Sequence, residues 1–309
     1  MSLGLRLLQA VRKQPDWPAM SAAELDAFRE AENRRRASRL VRVVSGFPAP
    51  GVTIGWHTLD LPGRSLRLRV YRPERADAFV VHVHGGGFVG TAPQSDWINS
   101  HLAARVPAVV VSVEHRLLAP GTSMLAAADD GWAVLHRAAE LGLAVDPARV
   151  AVFGESAGGL IAALAAQRAR AEGIPLRAQV LVNPATDLTG TALTYPSMRA
   201  HAGSPTLTLA QLELFLRLAV PEGTDPRAVS PLHAGDLSGL APALVVVPAD
   251  DPLADQGRAY ADRLRAAGTP VTLAEHPGAV HAFLSMPGVQ RRAKAARAEI
   301  AAFLRERLA

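Results

Sequence analysis

Residues 149–167 read RVAVFGESAGGLIAALAAQ. The opening RVAVF is short, apolar and β-branched, as expected of a strand buried on both faces, and LIAALAAQ carries the composition of a helix. Between them stand only Gly154, Glu155, Ser156, Ala157, Gly158 and Gly159. A chain that passes from strand to helix this sharply needs small residues two positions before and two after the apex, because a Cβ there would collide across the turn. Ser156 is that apex. Its hydroxyl is expected to stand clear of the sheet above a helix N-terminus, whose free N–H groups favour an oxyanion. The placement, more than the Gly-x-Ser-x-Gly spacing itself, points to a nucleophilic serine.

Outward from this turn the chain repeats the same alternation. LRLRVY from Leu66 alternates with period two, and AFVVHVH, AVVVSV, AQVLVN and PALVVV are further short strand runs. Helical patterns fall between them at residues 95–105, 125–141, 157–172 and 252–267, with a last helix near 290–308. This order predicts an α/β fold with a mainly parallel central sheet flanked by helices on both sides. Residues 3–40 read as two helices ahead of the first strand, punctuated by Pro15 and Pro18, with Ser21 and Glu24 in a capping-box pattern. From Thr189 to about Leu240 the alternation stops. That segment holds one helix, at 209–218, among Pro- and Gly-rich loops, and reads as an insertion.

A second turn carries chemistry. His84-Gly85-Gly86-Gly87-Phe88 follows the apolar strand that starts at Ala78, and three consecutive glycines let backbone N–H groups face a bound carbonyl oxygen unobstructed. His82 and His84 form a His-x-His pair on this strand, but no third ligand lies in range, so no metal site is expected. A nucleophilic serine needs a base and an orienting acid, which follow it in chain order in doubly wound hydrolases. Asp251 and Asp250 compete for the acid after PALVVV, and His281 and His276 for the base around and after PVTLAEH.

Composition removes other chemistries. The 309 residues contain no Cys, which excludes disulfides, thiolate metal sites and cysteine nucleophiles. Lys13 and Lys294 are the sole lysines and neither follows a glycine-rich turn, which argues against a phosphate-binding P-loop. The net charge is +5, yet the arginines are scattered along helices without interleaved aromatics, so nucleic-acid binding is not expected. No apolar run reaches the roughly 20 residues that span a bilayer, and Arg6 interrupts the apolar N-terminal stretch. The expectation is a cytoplasmic protein without stable membrane insertion; a homodimer is left open.

HGGGF, GESAGG, DPLADQG and HAF, in this order, resemble the hormone-sensitive-lipase-type esterases of the α/β-hydrolase superfamily, and the similarity runs from about Tyr71 to the C-terminus. The resemblance implies Ser156 as nucleophile, Asp251 as acid, His281 as base, and the N–H groups of Gly86, Gly87 and Ala157 as oxyanion hole. It implies an α/β-hydrolase fold with a helical cap made of residues 1–45 and an insertion at about 189–225, the catalytic domain being 46–309. It further implies a small-molecule ester substrate with a short to medium acyl chain, and no cofactor. Three positions depart from the pattern: Glu155 stands for a usual Asp, Ala282 for a frequent Gly, and His115 for a common Tyr. A receptor or scaffold that kept the pocket and lost the chemistry is the alternative, and such proteins typically lack one of the three side chains.

Overall fold

The computed structural model describes residues 15–143 and 146–309. One sheet of eight strands organises it, comprising β1 (Val52–Leu61), β2 (Arg64–Pro73), β3 (Ala78–Val83), β4 (Ala108–Val113), β5 (Val150–Glu155), β6 (Ala178–Val182), β7 (Ala243–Asp250) and β8 (Val271–Val280). Their spatial order is β1-β2-β4-β3-β5-β6-β7-β8. From β4 to β8 every pairing is parallel, while β1 and β2 form an antiparallel hairpin added at one edge. The mainly parallel α/β sheet expected from the alternation is therefore present.

The central strands read as continuous apolar runs because both faces are covered. In β3, Phe79, Val81 and Val83 enter one core layer and Ala78 and Val80 the other; β4 and β5 divide in the same way. Helices α1 (Ala22–Ala37), α3 (Met124–His136), α4 (Ala157–Ala171), α5 (Leu209–Ala219) and α6 (Ala254–Ala266) lie on the first side. The second side is covered by α2 (Asp96–Arg105) and α7 (Arg292–Leu308), through residues such as Leu102 and Leu304.

Several boundaries differ from the sequence expectation. The strand β1 precedes the one anticipated from Leu66. As an edge strand its side chains are mostly exposed or half-buried, so it lacks the apolar alternation that marks the others. The helix expected at 125–141 ends at His136 and resumes as a short 3-10 turn at Ala138–Leu141. Of the two N-terminal helices, the second is α1, closed by the Ser21/Glu24 capping box: the Ser21 backbone N–H donates to Glu24 (2.8 Å) and the Glu24 N–H to Ser21 Oγ (3.3 Å). The first, from Leu3, lies outside the described residues.

Candidate active site

The turn between β5 and α4 is as tight as its composition requires. A Cβ on Gly154 would stand 2.1 Å from the Gly158 carbonyl oxygen, and one on Gly158 would stand 2.1 Å from that of Val83. Neither position accepts a side chain. Ser156 itself adopts φ 56° and ψ −119°, a strained conformation for an L-residue. Its N–H donates to Val182 O (2.9 Å) and its carbonyl accepts from Leu160 (3.1 Å), so the apex is fixed from β6 and from the helix it starts.

Two buried side chains follow its hydroxyl in series. His281 follows β8, with Nε2 2.9 Å from Ser156 Oγ and Nδ1 2.8 Å from Asp251 Oδ2. Asp251 is fully buried, the first residue beyond β7, and its other oxygen accepts the Leu253 N–H at 2.9 Å. A carboxylate against Nδ1 holds the proton there and leaves Nε2 as an acceptor for the serine O–H. The competitors are placed elsewhere. Asp250 is still in β7, paired with Val280, and His276 lies 3.2 Å from Glu299 of α7.

The glycine loop lies beside this series. Val89 N–H donates to Gly86 O at 3.0 Å, and Gln94 Nε2 donates to Gly85 O at 2.9 Å. In a trans peptide the C=O and the following N–H point in opposite directions, so fixing these two carbonyls fixes the N–H vectors of Gly87 and Gly86. Gly86 has φ 87°, and a Cβ on it would strike the Val89 carbonyl. Ala157 is the first residue of α4, where backbone N–H groups have no partner within the helix.

The departures from the family pattern have structural roles. His115 stacks on His84 at 4.3 Å between ring centroids and places Nε2 3.2 Å from the His84 carbonyl oxygen, at the entry to the glycine loop. Burial pushes the pKa of both rings down, well down for His84. Glu155 is buried and accepts the Ser285 hydroxyl at 3.3 Å, tying the serine turn to the segment after His281. Ala282 has φ 57°, which explains why glycine suits that position. His82 is held by Ser112 (2.8 Å) and Asn99 (3.0 Å) rather than paired with His84. Among the described residues no group of three His, Asp or Glu side chains is arranged to hold a metal.

Above the site is a cavity of about 540 Å³, reached by Ser156, His281, Gly86 and Gly87. Its apolar wall includes Trp17, Phe28, Leu212, Phe215, Leu253 and Met286, from segments before β1, from α5, and from the loops after β7 and β8. Phe28 falls in residues 1–45, and Leu212 and Phe215 in 189–225, the two segments that the family resemblance implies as a cap. Sequence reasoning missed Gln94, because a glutamine in a short 3-10 turn, ten positions past the histidine of HGGGF, carries no pattern. No helix of the described residues is long and apolar enough to cross a membrane.

A family model described as the alpha/beta hydrolase fold matches residues 80–285. The carboxylesterase NlhH of Mycobacterium tuberculosis is 40% identical over 250 residues, 75% of this chain and 74% of its own. The ethyl acetate hydrolase of Pseudomonas putida is 34% identical over 300 residues, covering 92% of this chain and 91% of its own. Among solved structures, the hyperthermophilic esterase of Pyrobaculum calidifontis superposes with a TM-score of 0.85 at 32% identity, covering 98% of this chain and 96% of that one.

Proposed function

From the premise that the chain belongs to the α/β-hydrolase fold family, among its hormone-sensitive-lipase-type esterases, and is a serine carboxylic ester hydrolase, we propose that Ser156, His281 and Asp251 carry its chemistry. The observation that supports this most directly is the position of one imidazole, 2.9 Å from the serine oxygen and 2.8 Å from the carboxylate.

In this reading Ser156 Oγ attacks the ester carbonyl as His281 Nε2 takes its proton. Asp251 keeps the ring in the Nδ1–H tautomer and stabilises the imidazolium, and the N–H groups of Gly86, Gly87 and Ala157 receive the developing oxyanion. Collapse of the tetrahedral intermediate expels the alcohol, protonated by His281, and leaves an acyl-enzyme. Water, deprotonated by the same imidazole, then attacks the acyl carbonyl and releases the acid. No cofactor enters either half-reaction.

The substrate we assign is an ester with a short or medium acyl chain, held under a cap formed by α1 and the 189–225 insertion. Phe28 of the first and Leu212 and Phe215 of the second support this by facing the same cavity as Ser156. No observation favours the receptor alternative.

The test is an acid-quenched reaction with p-nitrophenyl esters of rising acyl length. A burst of nitrophenol equal to the enzyme concentration, with the acyl group found on Ser156 by peptide mass spectrometry, is the expected result. An acyl group on any other residue would reject the assignment.

A further inference from the structure

The N-terminal helix α1 reaches the glycine loop through two arginines on one helical face. Arg29 and Arg36 are seven positions apart, two turns, so their side chains leave the helix in the same direction. Arg29 Nε donates to Phe88 O at 3.0 Å, and its Nη2 donates to Leu118 O, also at 3.0 Å. Arg36 Nη1 donates to the Gln94 side-chain oxygen at 2.6 Å. Through these hydrogen bonds both guanidinium groups reach what holds the proposed oxyanion donors, and Arg36 also lines the cavity above Ser156.

The hydrogen bonds continue from there as two series of amides. The Phe88 carbonyl that Arg29 engages shares its peptide with the Val89 N–H, which donates to Gly86 O at 3.0 Å. The Gly86 carbonyl in turn shares its peptide with the Gly87 N–H. On the second path, the Gln94 amide receives Arg36 at its oxygen and donates from Nε2 to Gly85 O at 2.9 Å, and that carbonyl shares its peptide with the Gly86 N–H. The orientation of the Gln94 amide is forced, since its neighbours are a donor-only guanidinium and an acceptor-only carbonyl. Each series runs from an arginine, itself ion-paired within α1 (Arg29 with Asp26 at 2.8 Å, Arg36 with Glu32 at 3.1 Å), through two amides to one glycine N–H. The approach is close: a Cβ on Gly90 would lie 2.8 Å from Gly85 O and 2.9 Å from Gln94 Oε1.

We propose that Arg29 and Arg36 are positioning residues that orient and polarise the Gly87 and Gly86 N–H donors, each through a relay of two amides, so that the N-terminal helix takes part in stabilising the oxyanion. This rests on the reading of Gly86 and Gly87 as oxyanion donors. A hydrogen-bonded series headed by a cation is polarised along its length, each bond strengthening the next. Gly87 O accepts the Leu118 N–H at 2.7 Å, and Leu118 O accepts Arg29, so the same guanidinium also clamps the far side of the loop. Acylation and deacylation both pass through the oxyanion, so both depend on the relay.

The experiment compares Arg29→Met, Arg36→Met and Gln94→Met, which keep the aliphatic stems, with Arg34→Met as control. Arg34 lies on the same helix with an exposed side chain paired with Glu30. Each relay variant should lower kcat on p-nitrophenyl acetate by about tenfold with KM nearly unchanged, less than the hundredfold or more expected for deleting a donor outright. Affinity for a reversible trifluoromethyl ketone, which forms an oxyanion on Ser156, should weaken by the same factor. The carbonyl band of an isotope-labelled acyl-enzyme should move to higher wavenumber in infrared difference spectra, because a less polarised C=O is stiffer. Arg29→Lys should recover part of each effect, and Arg34→Met should change none. If the folded variants keep kcat within twofold and the carbonyl band does not move, the relay is wrong. Should Arg36→Met fail to fold, Gln94→Met, which removes no charge, decides its path; should Arg29→Met fail to fold, Arg29→Lys decides the other, a partial loss of kcat with a smaller band shift supporting it and parent-like kcat and band overturning it. Parallel assay of Ser156→Ala separates the two levels: inactivity there with unaffected relay variants overturns the relay alone, and retained activity overturns the site reading beneath it.

Discussion

The ring of Phe215 is seated against Gly87: a Cβ at position 87 would stand 2.5 Å from the ring edge. Helix α5 thus closes the cavity directly over one proposed oxyanion donor, and on the other side of Phe215 and Leu212 is a much smaller void, lined also by Met198 and Leu216. Phe215→Ala should join the two spaces and move the preferred acyl chain of p-nitrophenyl esters upward by about two carbons, at up to about 0.8 kcal/mol per methylene. An unchanged chain-length profile would show that the ring is not the wall.

Ser156→Ala and His281→Ala should each lower kcat by several orders of magnitude, on the order of 10⁴ to 10⁶. The double variant should lose little more than either single one, because serine and imidazole form one proton-transfer unit. Additive losses would mean that they act separately.

Asp251→Asn should lower kcat by about 10⁴-fold by favouring the wrong imidazole tautomer. Asp250→Asn, one residue earlier and still in the strand, should leave kcat within a few-fold of the parent. The opposite ranking in steady-state kinetics would transfer the role to Asp250.

Stability should depend on three buried imidazoles. Burial is the largest cause lowering the pKa of His82, His84 and His115, so the folded protein keeps them neutral where the unfolded chain would protonate them. Below the unfolded value of about 6.5 the unfolded state binds more protons, and the stability fully present above that pH is lost as pH falls. Urea midpoints measured from pH 8 to pH 5 should hold steady and then drop below about pH 6.5. A midpoint flat to pH 5 would contradict this.

Ala282→Gly should stabilise the protein or leave it unchanged, whereas Ala→Gly elsewhere ordinarily costs about 0.5–1 kcal/mol. Its φ of 57° is in the left-handed region, where a Cβ costs roughly 1–2 kcal/mol. A clear fall in the denaturation midpoint would show that the Ala282 methyl group makes up for the strain.

What the sequence disclosed of the fold and the site follows how local each constraint is. The turn at Ser156 and the glycines after His84 were legible because a side chain at Gly154, Gly158 or Gly86 has nowhere to go, and the composition records that directly. The buried strands were legible because each fills two core layers. The edge strand β1 was not, since exposed positions carry no such record. Neighbouring candidates were also beyond reach by pattern: Asp250 and Asp251 differ only in where β7 ends, after a register shift between Pro248 and Asp250. Arg29, Arg36 and Gln94 were invisible because their partners are brought together from distant parts of the chain, as Arg29 and Phe88 are across 59 positions.

The three side chains proposed to do the chemistry are drawn from unequal depths of the sheet. The serine follows β5, at its centre, while the imidazole, 125 positions later, follows β8 at the rim, and the carboxylate follows β7 just inside it. Contacts of such long separation are costly to close and form slowly. Strands β3 to β6 alone carry the serine with neither base nor acid, so sheet and helix content do not by themselves report a working site. Turnover recovered on refolding therefore requires β5, β7 and β8 in place together, which makes activity a gauge of the joint closure of the sheet rather than of its bulk.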